Sequence, residues 1–181
     1  MGDWPQQSFV DWPAGSMIGP WQPDTALADA ARCGRFTGTT AVWLTANLAV
    51  LMPFIVETPC TVTQFWWYNG TAVSGNVDIG LFSWAGSRLV SAGATVQAGT
   101  STIQVVNTTD TAIGPGDYYL GMVMDNITGN VFRSQPTNHV LMSCGVQQMA
   151  TAYPLPATVT FANPVNSWVP VCGACTVSGA I

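Results

Sequence analysis

Residues 61–83 read TVTQFWWYNGTAVSGNVDIGLFS, and this stretch decides the fold class. Two runs rich in apolar and β-branched residues, Thr61–Tyr68 and Asn76–Ser83, are separated by a segment of Asn, Gly and Ser. Runs of this length and composition are typical of β-strands, and Asn69–Gly70 can adopt the positive φ of a tight turn. The stretch therefore predicts two strands joined by a hairpin or Greek-key corner.

The same pattern continues on both sides of this stretch. Short apolar runs separated by Gly, Asn and Asp extend from about residue 40 to residue 132, which is typical of an antiparallel sandwich or barrel. Further corners are predicted at Trp84–Ser87 and Ile113–Asp117, where glycines occur. The predicted strands are Leu48–Val56, Thr61–Tyr68, Asn76–Ser83, Arg88–Ser91, Thr102–Val106, Tyr118–Asp125 and Val131–Arg133.

The C-terminal third of the chain is less regular. His139–Met149 is compatible with a strand or a helix, and Ala157–Phe161 is predicted to be a strand. The tail Ser167–Ile181 is apolar. The sequence thus predicts an all-β fold, an antiparallel β-sandwich over residues 41–181 with an apolar C-terminal tail, and a jelly-roll is its expected form.

The first 40 residues have a different character. Proline flanks each early tryptophan, in Trp4-Pro5, Trp12-Pro13 and Pro20-Trp21-Gln22-Pro23, which favours extended or turn backbone. One short helix is predicted over Thr25–Cys33, with an Asp N-cap and a Gly after its end. Residues 1–40 are therefore predicted to form an extended Trp/Pro-rich N-terminal arm.

Charge and hydropathy exclude several classes of function. Only 7% of the 181 residues are charged, the net charge is -5 and lysine is absent, so the chain lacks the basic surface that nucleic-acid binding requires. The longest apolar stretch, Ala41–Val56, is interrupted by Thr, Asn and Pro and is shorter than the ~20 residues of a bilayer span. The N-terminus has no basic region followed by an apolar one, so no secretory signal is predicted and synthesis in a cytoplasm is expected.

The same composition predicts association. An average globular chain has about 25% charged residues, and few charges give little protection against self-association. Eight tryptophans and 21 threonines give this chain a large apolar area and a neutral polar surface. We therefore expect part of the surface to be covered permanently by other subunits, with a homotrimer as the expected assembly. The alternative is an unusually well-packed neutral monomer.

Four segments resemble a known group of proteins: Met52–Val56, Val62–Gly70, Ser74–Phe82 and Gly114–Leu120. Together they are similar to β-sandwich domains of tailed-bacteriophage structural proteins, which occur in head-decoration, head-fibre and tail-fibre components. The resemblance covers about residues 48–133 and consists mostly of fold signals. It implies a virion protein without shared catalytic residues.

The resemblance and the composition together lead to a functional expectation. A short chain without repeats or a fibrous segment favours a capsid decoration (cement) protein, located in the virion and assembled in the cytoplasm of the bacterial host. Its expected partners are further copies of itself and the major capsid or tail protein. The alternatives are a tail or tail-fibre component and a carbohydrate-binding module that recognises a host-surface glycan.

Catalytic chemistry has little support in the sequence. His139 is the only histidine and no G-x-S-x-G motif occurs, so a nucleophile with a histidine base would have to include this residue. Glu57 is the only glutamate, and the aspartates fall on turns and strand ends, although Asp110 and Asp117 could face each other. No catalytic residue is predicted, and a small esterase or glycanase remains a distant alternative.

The cysteines and acidic residues also give weak metal signals. Cys172-Gly-Ala-Cys175 has the spacing of half a zinc site, but no second CxxC occurs, and only Cys33, Cys60, Cys144 and His139 remain as further ligands. Five scattered cysteines are expected to be reduced, buried thiols. The oxygen-rich Asp125–Asn130 lacks the spacing of an EF-hand and reads as a loop. No metal or cofactor is predicted.

The remaining candidates are tryptophans. Consecutive residues of a strand point to opposite faces, so one of Trp66 and Trp67 is expected in the core while the other needs a cover. Such an indole suits a protein interface or the face of a sugar ring. Trp4, Trp12 and Trp21 are expected to insert into a neighbouring subunit, because a proline-flanked backbone loses little entropy when it becomes ordered. The alternative is an arm that folds back on its own domain.

Overall fold

The computed structural model describes residues 16–18 and 39–177. This part of the chain is all-β, with antiparallel strand pairs and one short helix, and the arrangement is compatible with a β-sandwich. The elements are β1 Ser16–Ile18, β2 Thr39–Val42, β3 Ala49–Val56, β4 Cys60–Tyr68, β5 Asn76–Ser83, β6 Arg88–Ser91, β7 Thr95–Val96, β8 Ile103–Ile113, β9 Gly116–Met124, β10 Asn130–Ser134, α1 Asn138–Ser143, β11 Gln147–Met149, β12 Val169–Pro170 and β13 Cys172–Val177.

The described strands form three sheets. The four-stranded sheet has the order β1-β13-β4-β8, and the six-stranded sheet has the order β11-β3-β9-β5-β6, with β7 also paired to β5. A small sheet of order β12-β10-β2 completes the set. Most neighbouring strands are distant in sequence, so the corners between consecutive strands often carry the chain from one sheet to another.

The main hydrophobic core is built from inward-facing residues of both large sheets. Val50, Met52, Phe54 and Val56 alternate along β3, as the two-residue period of a strand requires. β4 contributes Phe65, Trp67 and other side chains from the opposite sheet. This core also contains Trp43 and Trp168 from the connecting segments.

The six-stranded sheet is buried on its other face as well. A second cluster contains Leu51, Phe82 and Val123 from the sheet, and Leu155 and Val159 from the chain that crosses it. We call residues 150–162 the covering segment. Because both faces of β3 and β9 are buried, their sequences are almost continuously apolar instead of alternating.

Most predicted strands are confirmed. β5 and β6 have the predicted limits, and the predicted hairpin between them has Gly86 at φ 86°. β8 is much longer than predicted, because it continues through the polar residues 107–111 along the outside of the sheet. The apolar pattern used for prediction is absent from that stretch. For His139–Met149 the sequence is compatible with a strand or a helix, and the structure has both, a helix followed by a strand.

The strand predicted at Ala157–Phe161 is wrong. This part of the covering segment makes only isolated bridges, from Thr158 to Ser87 and from Ala162 to Gln148. Its apolar side chains pack on the six-stranded sheet, while its backbone bonds to the β5–β6 corner, where the Val159 N–H donates to the Gly86 carbonyl at 2.9 Å. Burial of side chains without a neighbouring strand produced the misleading apolar pattern.

The corner predicted at Tyr68–Thr71 joins the two large sheets and is not a hairpin. Asn69 is fully buried there, and its side chain accepts hydrogen bonds from the Trp67 indole at 2.7 Å and from Gln97 at 2.9 Å. Its amide donates to the Ala98 carbonyl at 2.6 Å and to Gln104 at 3.0 Å. The polar side chain of Asn69 is therefore used in a buried hydrogen-bond network.

Most of the predicted arm, including the predicted helix Thr25–Cys33, lies outside the described residues. Within it, Ser16–Ile18 is a short strand that pairs with β13. The division of the chain into an arm and a sandwich stays a prediction.

Close approach of two strands makes Gly173 a sensitive position. A Cβ placed there would lie 2.7 Å from three atoms of the buried Trp66 ring, whereas a Cβ at Gly114 would meet nothing within 4 Å. We predict that Gly173→Ala lowers the free energy of unfolding by about 1–3 kcal/mol, the usual cost of overpacking a core. Gly114→Ala is the matched control and should change it by less than about 0.5 kcal/mol. Urea denaturation measures both variants, and equal stability of the two would contradict this packing.

Candidate interaction surfaces

Two of the five tryptophans predicted at an interface lie in the described part of the chain. Trp67 is fully buried in the main core and its indole N–H donates to Asn69 Oδ1. Trp66 points to the other face of the four-stranded sheet and is 1% exposed. Neither indole offers exposed surface in the single chain, and their place in an interface stays a prediction. Trp4, Trp12 and Trp21 lie outside the described residues.

A cluster of three aromatic side chains, of which only Trp84 is exposed, lies at the β5–β6 corner. The indole of Trp84 is 53% exposed and stacks on Tyr119, with 4.8 Å between ring centroids and 12° between planes. Tyr119 in turn contacts Phe161 of the covering segment, at 4.8 Å between centroids. We call these three residues the aromatic surface. Its stacked geometry fixes the Trp84 ring, so this ring can receive an apolar side chain or the face of a sugar.

Sequence reasoning missed the aromatic surface. The sequence pattern predicts a turn at Trp84 and, around Phe161, a strand that does not form. The available signal was the position of Trp84 at the start of a predicted hairpin corner, where a side chain of that size has few neighbours to cover it. The packing of Phe161 against Tyr119 depends on the position of the covering segment on the sheet, and no local sequence pattern predicts that position.

The described surface combines few charges with many apolar side chains. Its exposed charged residues number four, Glu57, Arg88, Asp110 and Asp117. Ten large hydrophobic side chains are exposed in the same part of the chain, among them Ile55 at 66% and Val165 at 74%. Because surfaces of soluble monomers are ordinarily about a quarter or more charged, this surface has unusually weak electrostatic protection against association.

The CxxC pair lies on β13 and cannot act as a pair. Cys172 belongs to the main core, whereas Cys175, three residues later, faces the opposite side of the strand. Burial raises the pKa of Cys172, and it raises the pKa of Cys175 to about 11. Thiols kept protonated on opposite faces neither bind one metal ion nor attack a substrate. No group of three metal-ligating side chains occurs among the residues that the structure describes.

His139 lies on the exposed face of α1. Its Nδ1 is 3.4 Å from Ser143 Oγ, but that hydroxyl donates at 2.9 Å to the carbonyl of His139 itself. This is the back-bonding common for serine within helices, and it directs the hydroxyl proton away from the imidazole. The geometry is that of a helix side chain, not of a nucleophile activated by a base.

The two surface aspartates that sequence analysis considered as a pair lie on strands of different sheets. Asp110 on β8 and Asp117 on β9 are both exposed and belong to different sheets. Asp78 is 1% exposed under the covering segment, where Oδ2 accepts the Leu155 N–H at 2.9 Å. Burial raises the pKa of Asp78, and the opposing effects of this hydrogen bond and of the nearby Arg88 charge do not cancel it.

The oxygen-rich loop at Asp125 is held by its own hydrogen bonds. Asp125 accepts from the backbone N–H of Asn76 at 2.9 Å, from its side-chain amide at 2.7 Å, and from the Asn126 amide at 2.6 Å. Partial burial raises the pKa of Asp125, but these bonds outweigh it and the net pKa is lowered. Asn126 Oδ1 accepts from Thr128 and Gly129 in an Asx turn. The loop interpretation accounts for these groups without a cation.

No model of a protein family matches the chain, and no curated protein matches it. Among residues 16–18 and 39–177, no helix has the length and apolar character needed to cross a bilayer. The interpretation of these surfaces therefore depends on their own geometry.

The burial of Asp78 leads to a prediction about how stability depends on pH. The raised pKa of Asp78 means that the folded state binds more protons than the unfolded state between the ordinary carboxyl pKa and the raised one. The contribution of Asp78 to stability therefore falls as pH rises through that window. Asp78→Asn retains an acceptor for the Leu155 N–H and removes the charge, so its stability relative to wild type should increase from pH 4 to pH 8. The lowered pKa of Asp125 acts in the opposite direction, but it acts equally in both proteins.

Two further variants check the origin of this effect. Asp78→Ala removes the acceptor and should cost about 1–3 kcal/mol even at low pH, because the Leu155 N–H stays buried without a partner. Asp117→Asn removes a carboxylate at an exposed position and is the matched control. Chemical denaturation at several pH values measures all four proteins, and a pH-independent difference between wild type and Asp78→Asn would refute the assignment.

Proposed function

We propose that this protein is a non-catalytic structural component of a tailed-bacteriophage virion, and specifically a capsid decoration protein assembled in the bacterial cytoplasm. The resemblance of residues 48–133 to virion β-sandwich domains supports the class. The described part of the chain exposes four charged residues and ten large hydrophobic ones. This contrast is the observation that supports a structural role within an assembly. Such a surface suits a subunit that is covered by neighbours.

The jelly-roll topology is part of this proposal, and the strand order supports it. Eight strands, taken in chain order as first to eighth, are β1, β3, β4, β5, β6, β8, β9 and β13. In one sheet their order is first-eighth-third-sixth, and in the other it is second-seventh-fourth-fifth. Two interleaved Greek keys produce this order, and jelly-rolls of this kind occur in viral capsid proteins and in lectins.

The strand order also bears on which residues attach the subunit to its neighbours. β1 lies within the first 40 residues, yet it takes the position of the first jelly-roll strand. We therefore assign the attachment role to the residues before β1, which include Trp4 and Trp12. We propose a homotrimer in which these residues contact a neighbouring subunit or the major capsid protein, while the sandwich faces solvent.

Sedimentation of the full chain tests this assembly. We predict a species near three times 19.1 kDa at micromolar concentration. Deletion of residues 1–15, which leaves β1 in place, should weaken association by tenfold or more, because two tryptophan anchors are lost. Deletion of residues 1–23 removes β1 as well and should also lower the thermal stability of the subunit. A full chain that remains monomeric at high concentration would overturn the assembly.

Location in the particle needs a separate experiment. Cryo-electron microscopy and mass spectrometry of particles purified from the producing host should place the chain on the capsid exterior. Density for this subunit on the tail or its fibres would replace decoration by a tail role. Absence of the chain from purified particles would refute the virion assignment.

A carbohydrate-binding module is the second candidate, and the aromatic surface favours it. Stacking on Tyr119 holds the half-exposed Trp84 ring in one orientation, as sugar-binding platforms require. Under this candidate, the full chain binds a bacterial surface glycan on an array, and Trp84→Ala abolishes binding while the protein stays folded. Leu89→Ala, at a 42% exposed position on the neighbouring strand, is the control and should bind normally. Failure to bind any glycan would remove this candidate.

A further inference from the structure

Arg133 is a buried cation in an aromatic environment. It lies on β10 and is only 6% exposed. Its Cζ is 5.3 Å from the centroid of the Trp168 ring, which is a cation–π arrangement. Trp168 packs edge-on against Trp43, with 4.3 Å between centroids and 79° between planes. The two indoles therefore fix the orientation of the ring beside the guanidinium.

Three hydrogen-bond donors at this place have no acceptor. Arg133 Nε and Nη1 and Trp168 Nε1 are all buried without a hydrogen-bond partner. Two other core indoles are paired, since Trp43 Nε1 donates to the Leu48 carbonyl at 3.0 Å and Trp67 Nε1 donates to Asn69. Buried donors are nearly always paired in native proteins, so a group of three marks a place where an acceptor belongs.

No acid of the described chain supplies that acceptor. Burial alone lowers the pKa of Arg133, without a contribution from any carboxylate. Asp78 and Asp125 are bonded to Leu155 and Asn76, respectively. A guanidinium stays charged at neutral pH even when buried, and a ring face accepts only weak hydrogen bonds from its N–H groups. A buried charge without a counter-ion is strongly unfavourable, so the arrangement calls for an anion.

We propose that Arg133 and Trp168 form a binding site for a carboxylate group. One carboxylate balances the single positive charge and offers two oxygens to the neighbouring N–H donors. A phosphate dianion would bring a second negative charge into a place that holds one cation. The carboxylate comes from a small free acid or from a side chain of a neighbouring protein subunit. The site depends only on these donors and does not require that the protein belong to a virion.

The Nε–H signals of the arginine side chains allow a direct test, because the full chain has only four arginines. Arg133→Lys assigns the Arg133 signal in a nitrogen–proton spectrum. A free carboxylate is the ligand if sodium acetate, added against sodium chloride at constant ionic strength, moves this signal downfield with saturation. A neighbouring subunit supplies the carboxylate if the signal is already downfield and moves back as the protein is diluted without acetate. A signal that responds to neither, or that moves no more than the signal of exposed Arg88, would overturn the proposal.

Thermal stability gives a second readout. Ligand binding to the folded state raises the melting temperature, so acetate at constant ionic strength should raise it in wild type and in Arg88→Met. Arg133→Met should lose this response, and Arg133→Lys, which keeps the charge without the planar donors, should retain only part of it. An undiminished response in Arg133→Met would refute the site. If that variant does not fold, the Arg133→Lys response and the spectrum of the wild-type protein decide the matter.

Discussion

The six-stranded sheet must be covered on both faces, and most other features of the molecule follow from this constraint. Its central strands carry apolar side chains on both sides, so a single packed layer would leave one face in water. The four-stranded sheet covers one face and forms the main core. The covering segment, residues 150–162, lies across the other face although it forms no strand of its own. This second cover brings Phe161 to Tyr119 and thereby supports the exposed ring of Trp84.

Covering a sheet with irregular chain creates a problem for the polar backbone, and a few buried side chains solve it. Asp78 accepts the Leu155 N–H, and Gln148 accepts the N–H groups of Val165 and Asn166 while its amide donates to the Asn166 carbonyl. Each of these side chains replaces bonds that a neighbouring strand would otherwise provide. Arg133 contrasts with them, because its buried donors serve no backbone group. Two unpaired donors on one buried cation therefore distinguish Arg133, as the site of the proposed ligand, from Asp78 and Gln148, which accept backbone N–H groups.

Local sequence patterns predicted the strands well where a run of strand-forming residues is bounded by turn residues. β5 and β6 have their predicted limits, and β3, β4 and β9 deviate by one or two residues, because turn residues close these runs on both sides. The failures have a common origin in tertiary structure. Phe161 lies in an apolar run without a strand partner, and Asn69 has turn chemistry but is buried between sheets. The aromatic surface and the Arg133 site both join residues far apart in sequence, so no spacing along the chain could predict them.

The predicted arm and the short strand within it are compatible once the topology is considered. β1 has three residues and bonds only to β13, at the edge of the four-stranded sheet. Residues 19–38 separate it from β2, and twenty residues of extended chain can span up to about 70 Å. A second copy of the chain offers the same edge, with Met17 opposite Cys175 in the same register. Exchange of β1 between subunits would preserve every pairing in the fold and change only the path of the connection. A chain with so few surface charges could thus associate through the edge of its four-stranded sheet, because exchange uses contacts that the fold already makes.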